Sequence, residues 1–126
     1  MGINLCIANS IEEINNALEL ENISLEDDII DFIWRNKEVL SEHIEAFYKL
    51  EPYDDMLLTN QEVLDLKCFA QTLLNPENIE RLNFCKDEVY EEYYVPKEEY
   101  LQFATDIKRV CEKSIILGKP LYSIGD

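Results

Sequence analysis

Apolar residues recur along most of this chain with a helical period, and the opening is the exception. Gly2-Ile3-Asn4-Leu5-Cys6-Ile7-Ala8 alternates imperfectly between apolar and polar residues and is rich in β-formers, which predicts a short strand. Ser10-Ile11-Glu12-Glu13 reads as a capping box, its serine and glutamate satisfying the first free N–H groups of a helix. That helix runs to about Glu21, with Ile11, Ile14, Ala17 and Leu18 as its inward stripe. Ser24-Leu25-Glu26-Asp27 has the same form and predicts a second helix start. Leu25, Ile29, Ile33, Leu40, Ile44 and Phe47 then hold one face, as one helix to about Leu50 or as two with a break near Asn36. Either way Pro52 ends it. Trp34, within Phe32-Ile33-Trp34, is expected to complete the core.

Pro52 to Asn60 reads as a loop carrying Asp54 and Asp55. Thr59-Asn60-Gln61-Glu62 is a further capping box, opening a helix with Val63, Leu66, Phe69 and Leu73 inward. Asn75-Pro76 places a capping residue before a proline at the first helical position, so a short helix holds Ile79 and Leu82. Cys85 to Pro96 reads two ways: its tyrosines and Val89 favour a strand, its glutamates a helix, and Pro96 restricts Val95 to extended geometry. The last helix spans about Lys97 to Leu117, with Tyr100, Phe103, Ala104, Ile107, Val110 and Cys111 on one face and Gly118 suited to its C-terminal cap. Leu121-Tyr122-Ser123-Ile124 is suited to return as a strand beside the first. The expectation is one mainly helical α+β domain over residues 1–126, with about five helices and no repeat or linker.

Composition supports a folded chain: 47% of residues are hydrophobic and 10% aromatic, unlike the aromatic-poor make-up of disordered segments. Charge changes the picture more. Twenty-seven Asp and Glu against eleven Lys and Arg leave a formal charge of −16. From Met1 through Trp34 there are eight acids and no Lys or Arg. A second concentration, Asp87-Glu88-Val89-Tyr90-Glu91-Glu92-Tyr93-Tyr94, interleaves acids with tyrosines. Like charges crowded on a small domain repel, a cost that a basic partner would relieve. Nucleic-acid phosphates and anionic membranes are disfavoured as partners, and no apolar run is long enough to span a bilayer. The N-terminal residues do not form a charged leader with an apolar core, so a cytoplasmic location is expected.

No reaction centre is legible, and the chain is not expected to be an enzyme. His43 is the only histidine, which leaves no imidazole pair for a metal, and the three glycines form no phosphate-cradling loop. Cys6, Cys68, Cys85 and Cys111 contain no Cys-x-x-Cys pair and read as reduced thiols, Cys68 and Cys111 within apolar stripes. Asp27-Asp28 and Asp54-Asp55 lack the alternating ligands and central glycine of a calcium loop, so no metal or cofactor is expected. The candidate partner-binding residues are Asp87, Glu88, Tyr90, Glu91, Glu92, Tyr93, Tyr94 and Glu98, with Asp54 and Asp55 in competition. Tyrosine supplies a rigid contact face at low entropic cost and the acids steer a basic partner. The competing reading is that one or two of Tyr90, Tyr93 and Tyr94 point into the core.

Tyr93-Tyr94-Val95-Pro96-Lys97-Glu98-Glu99 resembles the recognition element of the nuclease-colicin immunity proteins, a Tyr-Tyr-Pro turn followed by acids, with Val95 inserted before the proline here. The Met1-Gly2-Ile3 opening, the Leu58-Thr59-Asn60-Gln61-Glu62-Val63 helix start and the helix-strand ending through Lys119-Pro120-Leu121 are similar to the YfbM-like domain family. That family's central Trp and Leu-His motif is absent. The resemblances imply an immunity-type α+β protein and no catalytic residue. The expected function is therefore a cytoplasmic immunity protein that binds and neutralises the cationic nuclease domain of a bacteriocin or contact-dependent toxin. The alternative is an acidic regulatory adaptor or nucleic-acid mimic that engages another basic protein.

Overall fold

The computed structural model describes residues 3–16, 22–50, 54–82, 84 and 95–125. Among them are six helices and four strands in one mixed α+β domain. In chain order these are β1 (Ile3–Ile7), α1 (Ile11–Asn16), β2 (Asn22–Leu25), α2 (Asp27–Arg35), α3 (Ile44–Tyr48), β3 (Met56–Leu57), α4 (Asn60–Leu74), α5 (Pro76–Arg81), α6 (Lys97–Leu117) and β4 (Leu121–Gly125). The strands form one antiparallel sheet in the order β2-β1-β4-β3, so the first and last strands meet at its centre.

One face of the sheet joins the hydrophobic core, and on the other the paired Cys6 and Tyr122 are buried too. Ile3, Leu5 and Ile7 of β1, Ile23 and Leu25 of β2 and Leu121 of β4 join the core, as the two-residue period of a strand requires. Asn4 lies on the opposite face and is paired with Ser24, whose hydroxyl donates to Asn4 Oδ1 at 2.6 Å. That bond accounts for a correction. Ser24 does not cap a helix; residues 22–25 pair with β1, and α2 begins at Asp27 after an extended Glu26 whose side chain makes no capping bond. Long-range strand pairing has outcompeted a local signal of the right form.

The helical layer centres on α4 and α6. Thr59 caps α4 as expected: its Oγ1 accepts from Glu62 N–H at 3.1 Å while the Glu62 carboxylate accepts from Thr59 N–H at 2.9 Å. Val63, Leu66, Phe69 and Leu73 are buried, and so is the whole expected stripe of α6 from Tyr100 to Cys111. Each large apolar side chain among them contributes about 1.5–3 kcal/mol by leaving water. The Tyr100 hydroxyl donates to the Leu73 carbonyl at 2.7 Å, satisfying one of the acceptors that the end of α4 leaves open. Its ring packs edge-on against Phe32 and Phe84, at 5.5 and 5.4 Å. At the far end of α6, Gly118 takes a left-handed conformation with φ 64°. Its N–H donates to Ile115 O and the Lys119 N–H to Ser114 O, a paired closure that turns the chain into β4.

Of the two options for residues 25–50, the broken one holds. The buried Asn36 side chain donates to the Phe32 carbonyl at 2.9 Å and ends α2, and a turn leads to α3. His43 precedes α3 in left-handed backbone with φ 64°. The expected loop before α4 contains β3, held by Leu58 N–H donating to Leu121 O at 3.0 Å. Asn75 caps α5 through Glu77 N–H at 2.9 Å, with Pro76 in the first turn. Ala17, Leu18, Pro52 and Cys85 lie outside the described residues.

Burial holds two groups on α6 in their protonated forms. It pushes the Cys111 thiol from 9.0 up to about 12, with Lys67 pulling it down and Glu112 pushing it up, and it raises the Tyr100 hydroxyl above its usual 10.0. In the unfolded chain both ionise at ordinary values, so as pH rises past 9.0 the unfolded state sheds protons first. This stability is fully present below that value and is lost as pH climbs toward the folded values. Thermal midpoints measured by circular dichroism should fall through the alkaline range, and Cys111→Ala, less stable at neutrality, should show a shallower alkaline decline. Parallel slopes for the two proteins would contradict this assignment.

Candidate binding surface

The structure describes three of the expected site residues. Asp54 and Asp55 are exposed and lead into β3 at one edge of the sheet; Glu98 is exposed in the first turn of α6. One residue on, Glu99 lines a shallow groove with Glu26 and Asp106, floored by Ile23 of β2, Ile29 and Phe103. The β2 edge and the β3 edge are three strand spacings apart, about 14 Å. Asp54 and Asp55 therefore lie at the sheet edge opposite to the one that floors the Glu99 groove. Asp87, Glu88, Tyr90, Glu91, Glu92, Tyr93 and Tyr94 lie outside the described residues.

Among the described residues no carboxylate is buried, so the whole of their charge sits at the surface. It is unevenly spread. The first 55 residues of the chain contain fourteen Asp and Glu and three Lys and Arg. On α6 two of the acids have cations beside them, Lys108 against Glu112 at 3.8 Å and Arg109 against Asp106 at 3.6 Å. The α2–α3 side has a larger acidic excess, with Glu26, Asp27, Asp28, Asp31, Glu38, Glu42 and Glu45 all exposed.

On that side Trp34, expected to complete the core, instead stands in an exposed aromatic pair with Tyr48. Trp34 is 54% exposed and Tyr48 43% exposed, and their rings are 5.6 Å apart. Trp34 does not complete the core because Ile29, Phe32, Ile33 and Asn36 already define the buried face of α2. The next residue after Ile33 is turned about 100° away at 3.6 residues per turn. That angle was the available signal, and reading Trp34 together with its apolar neighbours obscured it. Tyr48 rests on the buried Phe47, with ring centroids 6.4 Å apart, and partial burial raises its hydroxyl pKa. The Lys37 ammonium lies over the Trp34 ring, 4.0 Å from its centroid. Asp31 lies three residues before Trp34 on α2, and Glu45 three before Tyr48 on α3, spacings that put each acid on its aromatic's face.

Two other features differ in chemistry. A groove of about 660 Å³ runs between β3, the start of α4 and the end of α6, walled by the exposed Leu57, Leu64 and Ile115 with Lys119 at its border. No carboxylate lines it. His43 and Cys68 share a shallow cavity of about 200 Å³ with Glu42, Gln71, Thr72 and Asn75. The sequence spacing does not indicate that this imidazole and thiol line one cavity. Among the described residues no cluster of three His, Cys, Asp or Glu could hold a metal, and no helix is long and apolar enough to cross a membrane.

An exposed Trp34 makes a direct expectation. Trp34→Ala should lower stability by about 1 kcal/mol or less, the range of surface changes, whereas Phe32→Ala should cost about 3–5 kcal/mol. Urea unfolding of both variants checks this. Equal losses would return Trp34 to the core.

Comparison of the chain with protein families, with curated proteins and with solved structures gave no match.

Proposed function

We propose that this chain works by binding: it is a cytoplasmic immunity-type inhibitor that seats against the cationic face of a nuclease toxin. The observation that carries the reading is the exposed acidic excess of residues 26–48, the same stretch that presents the solvent-facing Trp34 and Tyr48. A nuclease must present Lys and Arg to phosphates, so its active face is the natural complement of such a surface. Long-range attraction between the two raises the encounter rate, which suits a protein that must reach a toxin before the toxin reaches its substrate. Trp and Tyr are the side chains that most often supply the energy of the final complex once charge has brought the partners together. The resemblance of Tyr93-Tyr94-Val95-Pro96-Lys97-Glu98-Glu99 to the recognition turn of nuclease-colicin immunity proteins supports the same class.

The test uses the reading frame immediately upstream of the one encoding this chain. Expressed alone, its product should be basic, toxic and active on RNA or DNA. With this chain present, viability should return, and in purified form one equivalent should abolish nuclease activity. An upstream product that is harmless, or a nuclease unaffected by excess inhibitor, would remove the immunity reading and favour an acidic adaptor or nucleic-acid mimic.

A further inference from the structure

We propose that the Trp34–Tyr48 pair is the seat for an arginine side chain of the basic partner, and that Lys37 occupies this seat in the free protein. The inference rests on the reading of the partner as basic and goes further by naming the contact and its chemistry. Its first support is that the site already holds a cation: Lys37 Nζ lies 4.0 Å from the centroid of the Trp34 ring. A ring face that attracts an ammonium attracts any cation that reaches it, and tryptophan does so best. The second support is exposure. Phe32, Phe47, Phe69, Tyr100 and Phe103 are buried, whereas Trp34 and Tyr48 stand 54% and 43% open in mutual contact. The third is the charge around them, with Asp31 and Glu45 on the same helical faces and Glu38 exposed next to Lys37.

These features select arginine over lysine. A guanidinium is planar, so it can stack on the indole while its edge donates two parallel N–H bonds to a carboxylate; an ammonium can take the ring or the carboxylate but has no plane to stack. It is also more weakly hydrated, so moving it onto an aromatic surface costs less. The incoming arginine displaces Lys37, whose long flexible stem starts in the turn just after α2, its N–H donating to Trp34 O at 3.3 Å. Lys37 thus acts as an internal competitor. It covers the indole in the free state and adds a cost that a lone cation in solution does not overcome, whereas a partner arginine delivered by a steered, multi-contact encounter does.

Trp34 is the only tryptophan in the chain, so its emission reports this seat directly. The probes are hexa-arginine amide and hexa-lysine amide, titrated into the full chain at low salt. Hexa-arginine should change Trp34 emission saturably and bind several-fold more tightly than hexa-lysine. Lys37→Met should tighten hexa-arginine binding by about two- to fivefold, the range of a surface cation–π contact. Lys97→Met makes the same change in net charge on α6 and should do less. The inference is overturned if calorimetry detects hexa-arginine binding while Trp34 emission stays fixed, or if Lys37→Met binds no more tightly than Lys97→Met. A Trp34→Ala chain that neutralises the partner nuclease as well as its parent would also overturn it while leaving the immunity reading intact. If the parent chain inhibits no nuclease, the immunity reading fails and the emission titration still decides the seat.

Discussion

The seam between α4 and α6 is the contact on which the rest of the structure depends. Both helices bury a continuous stripe against each other, and the Tyr100 hydroxyl closes one end of the seam on the Leu73 carbonyl. An unmade bond there would leave a buried acceptor at a cost of about 1–3 kcal/mol, so the register of the two helices is fixed as well as their contact. From that seam the chain reaches the sheet in one step. The left-handed Gly118 turns α6 into β4, and β4 lies between β1 and β3. The core aromatics extend the seam outward, Phe47 touching Phe69 of α4 and Phe103 of α6, so that α3 is held from beneath. Tyr48, the next residue, is thereby fixed at the surface.

This construction separates stability from charge. Among the described residues the core contains no carboxylate, and every described acid is at or near the surface. The −16 charge therefore adds nothing to the packing and opposes the compact state through self-repulsion. A fold that tolerates such a surface needs a core that is sufficient alone, and the α4–α6 seam with the buried sheet face supplies one. On the α2–α3 side the excess of acids coincides with exposed aromatic area, the combination expected where steering and short-range anchoring serve the same encounter.

The parts of this fold that were legible in the sequence are those whose signals are local and repeated. The limits of α6 follow from about three turns of apolar spacing and a terminal glycine, and α4 follows from a capping box ahead of its stripe. The missed elements are those decided at a distance. Residues 22–25 form a strand because β1 lies beside them, although Ser24 and Asp27 have the spacing of a helix start. β3 is two residues long and exists through its bonds to β4, so no period could reveal it. Trp34 departs from expectation for a different reason: its angular position on α2, not its hydrophobic character, decides its exposure. The surplus of acids is plain from composition, but the exposed contact of Trp34 with Tyr48 needs the fold. Of the residues singled out for binding, Asp54 and Asp55 prove to be exposed ahead of β3 and Glu98 exposed on α6, while the acid-tyrosine segment lies outside the described residues.

The central claim is that a single-sign surface brings this protein to a basic partner. It is tested most directly by stopped-flow association with the purified partner nuclease across a rising NaCl series. Screening beyond a Debye length of about 8 Å at physiological ionic strength should lower the association rate steeply, by on the order of tenfold or more from dilute buffer, while the dissociation rate changes little. An association rate that stays level across the series would contradict the claim, because binding would then owe nothing to the carboxylates that distinguish this chain.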